Sequence, residues 1–406
     1  MRYLILGAGP TGLSIANRLK QLGEDSFLVL EKELVAGGLC RSEIVDGTPL
    51  DIGGGHFLDV RCPMVNDFLF DFMPKSEWNL FIRDSRIIIN SQEINHPFEA
   101  NLWQLDLDSQ IEYLKSIAEA GCNTNKPMPM KFIEWIRWKL GDKIARDYMI
   151  PYNQKLFQND LNELGTYWLE KLPNVSFEDT LRSCLTKRPY GKQPGHERFY
   201  YPKQYGYGEL WLRMADNIKE HIIYCKRVKE IDFCNKIVRT QDNGQYSADM
   251  IITTIPWKEW ERLEGLPEKL WNGIQLLKHN SVEVRYYAEN LDTTAHWIYY
   301  PDCDLPYHRI LVRSNFCSNS RGYWTETNGQ RTTLVPDSVK NNFHYTNQYA
   351  YPLNTIEKTK IMKALLDWSK ERGVIGIGRW GEHEHYNSDI TVERALLLVD
   401  KLLKEG

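Results

Sequence analysis

Residues 2–32 read RYLILGAGPTGLSIANRLKQLGEDSFLVLEK, and their pattern is the strongest indication of the fold. The apolar run Tyr3–Leu6 predicts a buried parallel strand, and the run Phe27–Leu30 predicts a second one. The amphipathic pattern between the two runs predicts a helix that continues to Gly23. Strand, helix and strand form one βαβ unit, so we expect a Rossmann-like α/β domain.

Three glycines follow the first predicted strand in G-x-G-x-x-G spacing. Gly7 permits the tight turn, Gly9 lets the backbone approach a pyrophosphate, and Gly12 lets helix and strand pack closely. The pyrophosphate then lies at the positive end of the helix. Glu31 follows Gly12 by 19 residues and is placed to bind a ribose, and its charge disfavours a 2′-phosphate. The pattern predicts a dinucleotide site, with a βαβ unit that binds no ligand as the alternative.

More glycines follow the acid and help to choose between FAD and NAD. Gly37, Gly38 and Arg41 come directly after it, and the glycines 53–55 precede His56. Glycine backbone lets a chain pass close to a flat ring. Flavoproteins of the glutathione-reductase-like class resemble this arrangement, since a second glycine pair and an arginine contact their FAD phosphates. The resemblance implies FAD as the cofactor.

The remainder of the chain predicts interleaved domains. Residues 66–199 show helical periodicity and predict a mainly helical insertion, while 281–369 predict an antiparallel substrate-side sheet. The FAD-binding domain is then discontinuous and consists of residues 1–65, 200–280 and 370–406.

The overall composition excludes several classes of protein. Lys and Arg number 50 and Asp and Glu 54, a net charge of -4, which argues against a broad nucleic-acid surface. No apolar run approaches the roughly 18 residues of a membrane span. We recognise no signal peptide and expect a cytoplasmic protein. The eight cysteines include no CxxC pair, which predicts reduced thiols and no zinc site.

Five further segments carry a family resemblance. They are GGGHF (53–57), IPYNQKLFQNDLNELGTYWLEKLP (150–173), LPYHRILVRSNF (305–316), YAYPLNT (349–355) and GIGRWGEHEHYNSDITVERALLLVDKL (376–402). Together with the FAD fingerprint, they resemble UDP-galactopyranose mutases and, more distantly, flavoproteins of the amine-oxidase and protoporphyrinogen-oxidase type. The last segment is the most specific, because mutases end with a similar Gly-Arg pair, an acid, an aromatic cluster and a helix that faces the flavin.

The resemblance also implies roles for individual residues. Arg309, Arg379 and Tyr351 would bind the diphosphate of a sugar nucleotide, whose two charges match two guanidiniums. Tyr152 falls where a mutase aromatic stacks on uracil, and His56 matches a histidine beside the flavin. The other residues that we assign are, on the cofactor side, Gly38, Arg41, Val228, Gly378 and Asn387 and, on the substrate side, Phe157, His385 and Tyr386.

Some substrate-side positions depart from the mutase pattern. Phe157 stands where mutases usually have Trp, and Asn174 and Val175 stand where a mutase arginine is expected. His385 replaces a diphosphate-binding Tyr, and Asn387 replaces an Asp. The mutase chemistry then persists on a different sugar nucleotide, or it has changed.

The expected function is that of an FAD-dependent mutase acting on a nucleoside-diphosphate hexose in glycan precursor synthesis. The resemblance implies pyranose–furanose isomerisation through an adduct at N5 of reduced FAD, and a homodimer is compatible with it. The expected catalytic residues are Arg309, Arg379, Tyr351, His56 and His385. Two alternatives stay open, namely an amine-oxidase-like FAD oxidoreductase and a non-catalytic flavin-binding homologue.

Some of these residues also have simpler interpretations. Arg309 and Arg379 could be structural ion-pair residues, Tyr152 could belong to the core, and His56 could be bonded within its own loop. His383 and His385, together with Glu382 and Glu384, could ligate a metal if that segment is extended, although no further His or Cys cluster accompanies them. We expect no metal.

Overall fold

The computed structural model describes residues 1–169, 174–191 and 197–405. The strands found in these residues are β1 (Tyr3–Leu6), β2 (Phe27–Leu30), β3 (Ser42–Val45), β4 (Thr48–Asp51), β5 (Leu58–Asp59), β6 (Trp78–Ile82), β7 (Ser85–Ile89), β8 (Gln92–Asn95), β9 (Arg198–Pro202), β10 (Ile222–Ile223), β11 (Val228–Asp232), β12 (Ile237–Thr240), β13 (Gln245–Ser247), β14 (Met250–Thr253), β15 (Arg262–Glu264), β16 (His279–Tyr287), β17 (Trp297–Tyr299), β18 (Arg309–Leu311), β19 (Tyr323–Asn328), β20 (His344–Pro352) and β21 (Val374–Gly376). The helices are α1 (Pro10–Gln21), α2 (Pro63–Phe70), α3 (Leu107–Ala118), α4 (Phe132–Ile144), α5 (Ile150–Phe157), α6 (Phe177–Thr186), α7 (Gly208–Asp216), α8 (Glu268–Leu276), α9 (Lys358–Lys370), α10 (Gly378–Gly381) and α11 (Ser388–Glu405).

The chain forms two compact units, each built from separate stretches of sequence. Unit 1 consists of Met1–Asn79, Tyr200–His279 and Tyr349–Gly406, and unit 2 consists of Leu80–Phe199 and Asn280–Gln348. This division differs from the three regions expected from the sequence, because the helices of the insertion and the large sheet fall into one unit.

A five-stranded parallel sheet forms the centre of unit 1. Its order is β10-β2-β1-β14-β21, and every neighbouring pair is parallel. Leu4, Ile5 and Leu6 are fully buried, as expected for a strand in the middle of a parallel sheet. β1 and β2 have the predicted bounds, and α1 begins at Pro10. The predicted α/β fold is confirmed.

A smaller four-stranded sheet in unit 1 has the order β13-β12-β11-β15. Its β11 begins at Val228, which is 9% exposed and packs in one apolar cluster with Leu4, Leu30 and Ile251. Val228 is therefore part of the core that joins the two sheets, and its expected role on the cofactor side stays a prediction.

Unit 2 contains a sheet of order β20-β16-β19-β18-β17-β7-β8, of which β20 contributes residues 344–348 to this unit. The sheet is mixed, because β17 pairs with β7 in parallel, whereas we expected an antiparallel sheet. β7 and β8 also lie inside the stretch expected to be mainly helical. They form a hairpin whose two turn residues, Asn90 and Ser91, have φ of 50° and 62°. Two positive φ values match the twist of a tight hairpin.

All eight cysteines are free thiols in the structure. Among the described residues, no helix is both long enough and apolar enough to cross a membrane.

Candidate functional site

The first and third glycines of the G-x-G-x-x-G loop are required by the protein's own packing. Gly7 has φ +101° and donates its N–H to the carbonyl oxygen of Leu30 over 2.8 Å. A Cβ on Gly12 would lie 1.9 Å from the carbonyl oxygen of Gly7. The predicted tight turn and close helix–strand contact are therefore present.

Gly9 has more room around it. A Cβ placed there would lie 3.9 Å from the Cα of Gly38, an ordinary contact. Gly9 is also the N-cap of α1, and no side chain caps that end of the helix. Gly38 has φ +54° and lies against Gly9, so two glycine loops meet at one helix N-terminus. This arrangement fits the pyrophosphate of a dinucleotide, because exposed backbone amides at a helix N-terminus bind anions.

Glu31 connects the end of β2 to the glycine loop. It is 6% exposed, its Oε2 accepts a hydrogen bond from the Ala8 N–H over 2.7 Å, and its Oε1 accepts one from the Glu33 N–H over 2.9 Å. Burial raises the pKa of Glu31, and the two amide donors act in the opposite direction. Glu31 thus shapes the loop in addition to its predicted contact with ribose.

Arg41 lies beside the second glycine pair. Its Nε donates to the carbonyl oxygen of Gly38 over 3.2 Å, and its Nη1 lies 3.8 Å from Glu33 Oε2. The guanidinium is therefore near the site where the resemblance expects FAD phosphates.

The 53–55 glycine run has a packing reason of its own. A Cβ on Gly53 would lie 1.6 Å from the carbonyl oxygen of Leu39, so the two backbones touch at this point. His56 follows, with its Nδ1 3.1 Å from the carbonyl oxygen of Gly54. That local bond agrees with the simpler interpretation of His56, and its flavin contact stays a prediction.

The closing segment returns to the glycine loop. β21 pairs with β14, and Gly378 follows it with φ +79°. A Cβ on Gly378 would lie 2.3 Å from Thr11 Oγ1, in the first turn of α1. The Gly378-Arg379 pair is therefore packed against the helix end that carries the fingerprint.

Arg379 is held by main-chain carbonyl groups. Its Nε and Nη2 donate to the carbonyl oxygen of Tyr386 over 2.8 and 2.7 Å, and its Nη1 donates to that of Ala350 over 3.1 Å. The guanidinium carbon lies 5.9 Å from the ring centroid of Tyr351. Carbonyl groups orient a guanidinium without cancelling its charge, which suits a residue expected to bind an anion.

The two histidines of the closing segment have different surroundings. His383 is 3% exposed, its Nε2 lies 2.9 Å from the carbonyl oxygen of Lys278, and burial lowers its pKa to about 3. The His385 ring lies 4.7 Å from that of Tyr351. Across the described residues, no group of three or more His, Cys, Asp or Glu is arranged to hold a metal ion.

Two glutamates hold this segment in place, a role that the sequence did not predict for either of them. Glu382 Oε2 accepts from the Gly378 N–H over 2.9 Å, and Glu382 also pairs with Arg394. Glu384 Oε1 lies 2.5 Å from the Nζ of Lys358, which is 1% exposed and whose pKa is lowered by burial. The sequence did contain one indication of this contact, because Lys358 lies on the otherwise mainly apolar buried face of α9.

The last two predicted residues in unit 1 precede α11. Burial raises the pKa of Tyr386 to about 12, and the Arg394 guanidinium lies 5.2 Å from its ring centroid. The carbonyl oxygen of Asn387 accepts from the Thr391 N–H over 3.1 Å, as in the first turn of a helix.

Unit 2 holds the remaining predicted residues, beginning with Arg309. It lies on β18 directly opposite Glu326 of β19. Arg309 Nε donates to Glu326 Oε2 over 2.8 Å, and Nη2 lies 2.6 Å from the same oxygen. The ion pair that we considered as the simpler interpretation is therefore present.

Tyr152 lies on α5 among other aromatic rings. Its ring centroid is 5.6 Å from that of Tyr299 and 6.1 Å from that of His308, both in edge-on geometry. His308 is fully buried and precedes Arg309 in the chain. Tyr152 therefore packs beside the histidine that precedes Arg309 in the chain.

The end of α5 is fixed by two side-chain amides whose role the sequence did not predict. Asn280 and Asn328 each donate from Nδ2 to the carbonyl oxygen of Leu156, over 2.6 and 2.9 Å. Phe157 is 6% exposed and meets Trp168 edge-on at 6.2 Å, so it is a packing residue here. Asn174 accepts a hydrogen bond from Lys139 Nζ over 2.7 Å.

Three comparisons relate this chain to known proteins. The flavin containing amine oxidoreductase family matches residues 10–286. An uncharacterised protein in the nifH2 3′ region of Methanothermococcus thermolithotrophicus is 51% identical over 53 residues, or 13% of this chain and 50% of that protein. Coproporphyrinogen III oxidase of Mycobacterium tuberculosis is 34% identical over 97 residues, or 23% of this chain and 21% of that enzyme. The chain therefore matches half the length of the first relative and about a fifth of the second.

Solved structures share the whole fold. Reduced UDP-galactopyranose mutase superposes with a TM-score of 0.90 at 21% identity, covering 100% of this chain and 94% of that one. Putrescine oxidase bound to putrescine has a TM-score of 0.64 at 13% identity, covering 99% of both chains. Identities this low show the fold alone. With the family match across more than half of its length, the chain belongs to the flavin-containing amine oxidoreductases, a family of flavoproteins, and its family implies that it binds FAD.

Proposed function

We propose that this protein is an FAD-dependent sugar-nucleotide mutase, which interconverts the pyranose and furanose forms of a nucleoside-diphosphate hexose. The observation that carries the proposal is the position of Arg379. Its guanidinium is held by carbonyl groups directly after Gly378, which packs on the first turn of α1. A fixed cation beside the glycine loop suits an anionic substrate, and it would repel a protonated amine.

In this proposal the protein binds and orients the substrate. Arg379 and Arg309 bind the diphosphate and offset the charge that grows on it when its bond to the anomeric carbon breaks. Tyr351 donates a hydrogen bond to the same group, and Tyr152 stacks on the base. Bound FAD, in its reduced form, supplies the nucleophile for the anomeric carbon.

The second candidate is an amine-oxidase-like oxidoreductase, which family membership favours. It predicts oxygen uptake with an amine and has no need of a diphosphate-binding arginine. The departures at Phe157 and His385 bear on both candidates, because they alter residues expected on the substrate side.

Product analysis tests the proposal. Dithionite-reduced protein is incubated with UDP-, dTDP- and GDP-hexoses next to an oxidised control, and the products are separated by ion-exchange chromatography. A new isobaric peak in the reduced sample alone supports the mutase and names its substrate. Unchanged substrates in every sample contradict it, and oxygen uptake with a panel of amines then tests the second candidate.

A further inference from the structure

Glu326 is a buried carboxylate on β19, directly opposite Arg309, one of the proposed substrate-binding arginines. It is 1% exposed, whereas Arg309, its cross-strand partner, is 18% exposed. The backbone of Glu326 is also fixed, because its carbonyl oxygen accepts from the His308 N–H over 3.0 Å. The carboxylate therefore has little freedom to move, and it contacts an arginine that reaches the surface of unit 2.

The contact between the two side chains restrains the guanidinium. Arg309 presents Nε and Nη2 to one oxygen, Oε2, over 2.8 and 2.6 Å. Two points of attachment fix the plane of the group as well as its position. An arginine that is already ordered loses less side-chain entropy when it binds an anion.

His308 does not compete for this carboxylate. Its Nε2 lies 3.8 Å from Glu326 Oε2, beyond hydrogen-bond distance, and the residue is fully buried. Burial, followed by the nearby charge of Arg309, holds the pKa of His308 well below its usual range, so the ring is neutral. Arg309 is thus a cation in direct contact with Glu326, and His308 is not.

We propose that Glu326 is a positioning residue, which pre-orients the Arg309 guanidinium for the diphosphate of the nucleotide substrate. This inference rests on the proposed function, because it needs a diphosphate at Arg309. Glu326 itself does not touch the substrate and acts through the arginine.

The same sheet offers a matched control. Glu283 and Arg285 on β16 form a second buried pair, in which Nε and Nη2 lie 2.9 and 2.8 Å from Glu283 Oε1. Arg285 Nη1 donates to the carbonyl oxygens of Val339 and Lys340, both over 2.9 Å. This pair has the same chemistry, with an arginine that is more deeply buried than Arg309, and it includes no predicted substrate residue.

The experiment measures UDP binding by calorimetry on the full-length, FAD-loaded protein, together with the thermal midpoint and the flavin content. The variants are Glu326→Ala, Glu326→Gln and Glu283→Ala. We expect Glu326→Ala to bind UDP at least about tenfold more weakly. Glu326→Gln should stay within about threefold of wild type, because one amide oxygen can accept both N–H groups. Glu283→Ala should lower the thermal midpoint as Glu326→Ala does, yet keep wild-type UDP affinity and flavin content.

Three results would overturn the inference while leaving the proposed function intact. They are wild-type affinity in Glu326→Ala, equal losses in Glu326→Ala and Glu283→Ala, and tighter binding in Glu326→Gln, which would mean that the carboxylate offsets charge and does not position the arginine. A wild-type protein that binds none of UDP, dTDP and GDP would contradict the proposed function and this inference together.

Discussion

Gly9 and Gly12 lie three residues apart in one loop, yet the structure constrains them differently. A Cβ on Gly12 meets the Gly7 carbonyl oxygen at 1.9 Å, whereas one on Gly9 finds only an ordinary contact at 3.9 Å. We expect Gly12→Ala to destabilise the protein by at least about 2 kcal/mol. Gly9→Val should keep the fold and lose FAD, because its side chain fills the space of the pyrophosphate.

Flavin absorbance per protein and thermal unfolding of the flavin-free form distinguish the two variants. A Gly9→Val protein that retains a full complement of FAD would refute the fingerprint interpretation.

Arg309 cannot be removed cleanly by a single substitution. Arg309→Met removes a cation that the buried Glu326 contacts, which we expect to cost about 3–5 kcal/mol of stability. The double variant Arg309→Met/Glu326→Gln should recover most of that loss, because no charge is then buried there. Both variants should keep FAD and lose UDP binding and turnover.

Urea unfolding, flavin content and calorimetry with UDP give the three readouts. Release of flavin by the double variant would show that Arg309 has been assigned to the wrong ligand.

At the level of single elements, the closing segment carries a pH dependence. The pKa of His383 is about 3 in the folded state, whereas the unfolded chain takes up this proton near pH 6.5. Between these values the unfolded state binds more protons, so stability falls as the pH falls from about 6.5 towards 3. For His383→Gln, we expect the loss of unfolding free energy between pH 6.5 and 5 to be about 1.5 kcal/mol smaller than in wild type.

Urea titrations at both pH values provide the measurement. His344→Gln, at an exposed position on β20, is the control and should keep the wild-type difference. An unchanged difference in His383→Gln would mean that this histidine is protonated in the folded protein.

A second prediction at this level concerns the hydrogen bonds that hold the end of α5. Asn280 and Asn328 share the Leu156 carbonyl oxygen, so either amide can satisfy it alone. Each single change to Ala should cost about 1 kcal/mol, and the double change more than the sum, because a buried carbonyl then loses both of these donors. A double-mutant cycle of unfolding free energies measures this coupling, and strict additivity would show that the two bonds act independently.

Elements differ in how far the sequence predicts them. β1 and β2 were predicted with their observed bounds, because uninterrupted apolar runs leave a buried parallel strand few alternatives. β7 and β8 were missed, since each is short and their turn is Asn90-Ser91 and not the usual Asn-Gly.

Among single residues, the resemblance selected Arg309 and Arg379, but it gave no information about the groups that contact their guanidiniums. Glu326 and Lys358 are charged residues at positions that became buried only through tertiary contacts, and periodicity alone does not distinguish them from surface charges.

At the scale of the whole molecule, one contact joins distant parts of the chain. Gly378, with φ +79°, packs on Thr11, so Gly378→Ala should both strain the backbone by about 1–2 kcal/mol and clash at 2.3 Å. We expect lower stability and lower flavin content. Adding Thr11→Ala removes the clashing hydroxyl and should recover part of the flavin, while the backbone strain remains.

Flavin content at equal protein concentration measures this recovery. If Gly378→Ala alone binds FAD normally, the contact between the closing segment and α1 is not needed for the cofactor site.

The strand order of the parallel sheet has a consequence for biosynthesis. β1 needs β14 beside it, and β14 needs β21, so the central sheet stays incomplete until residue 376 has left the ribosome. At ordinary translation rates, β21 is synthesised on the order of tens of seconds after β2. Unit 2 ends at Gln348 and can therefore close first. The nascent chain would then carry a folded unit 2 while the apolar strands of unit 1 are still exposed to chaperones.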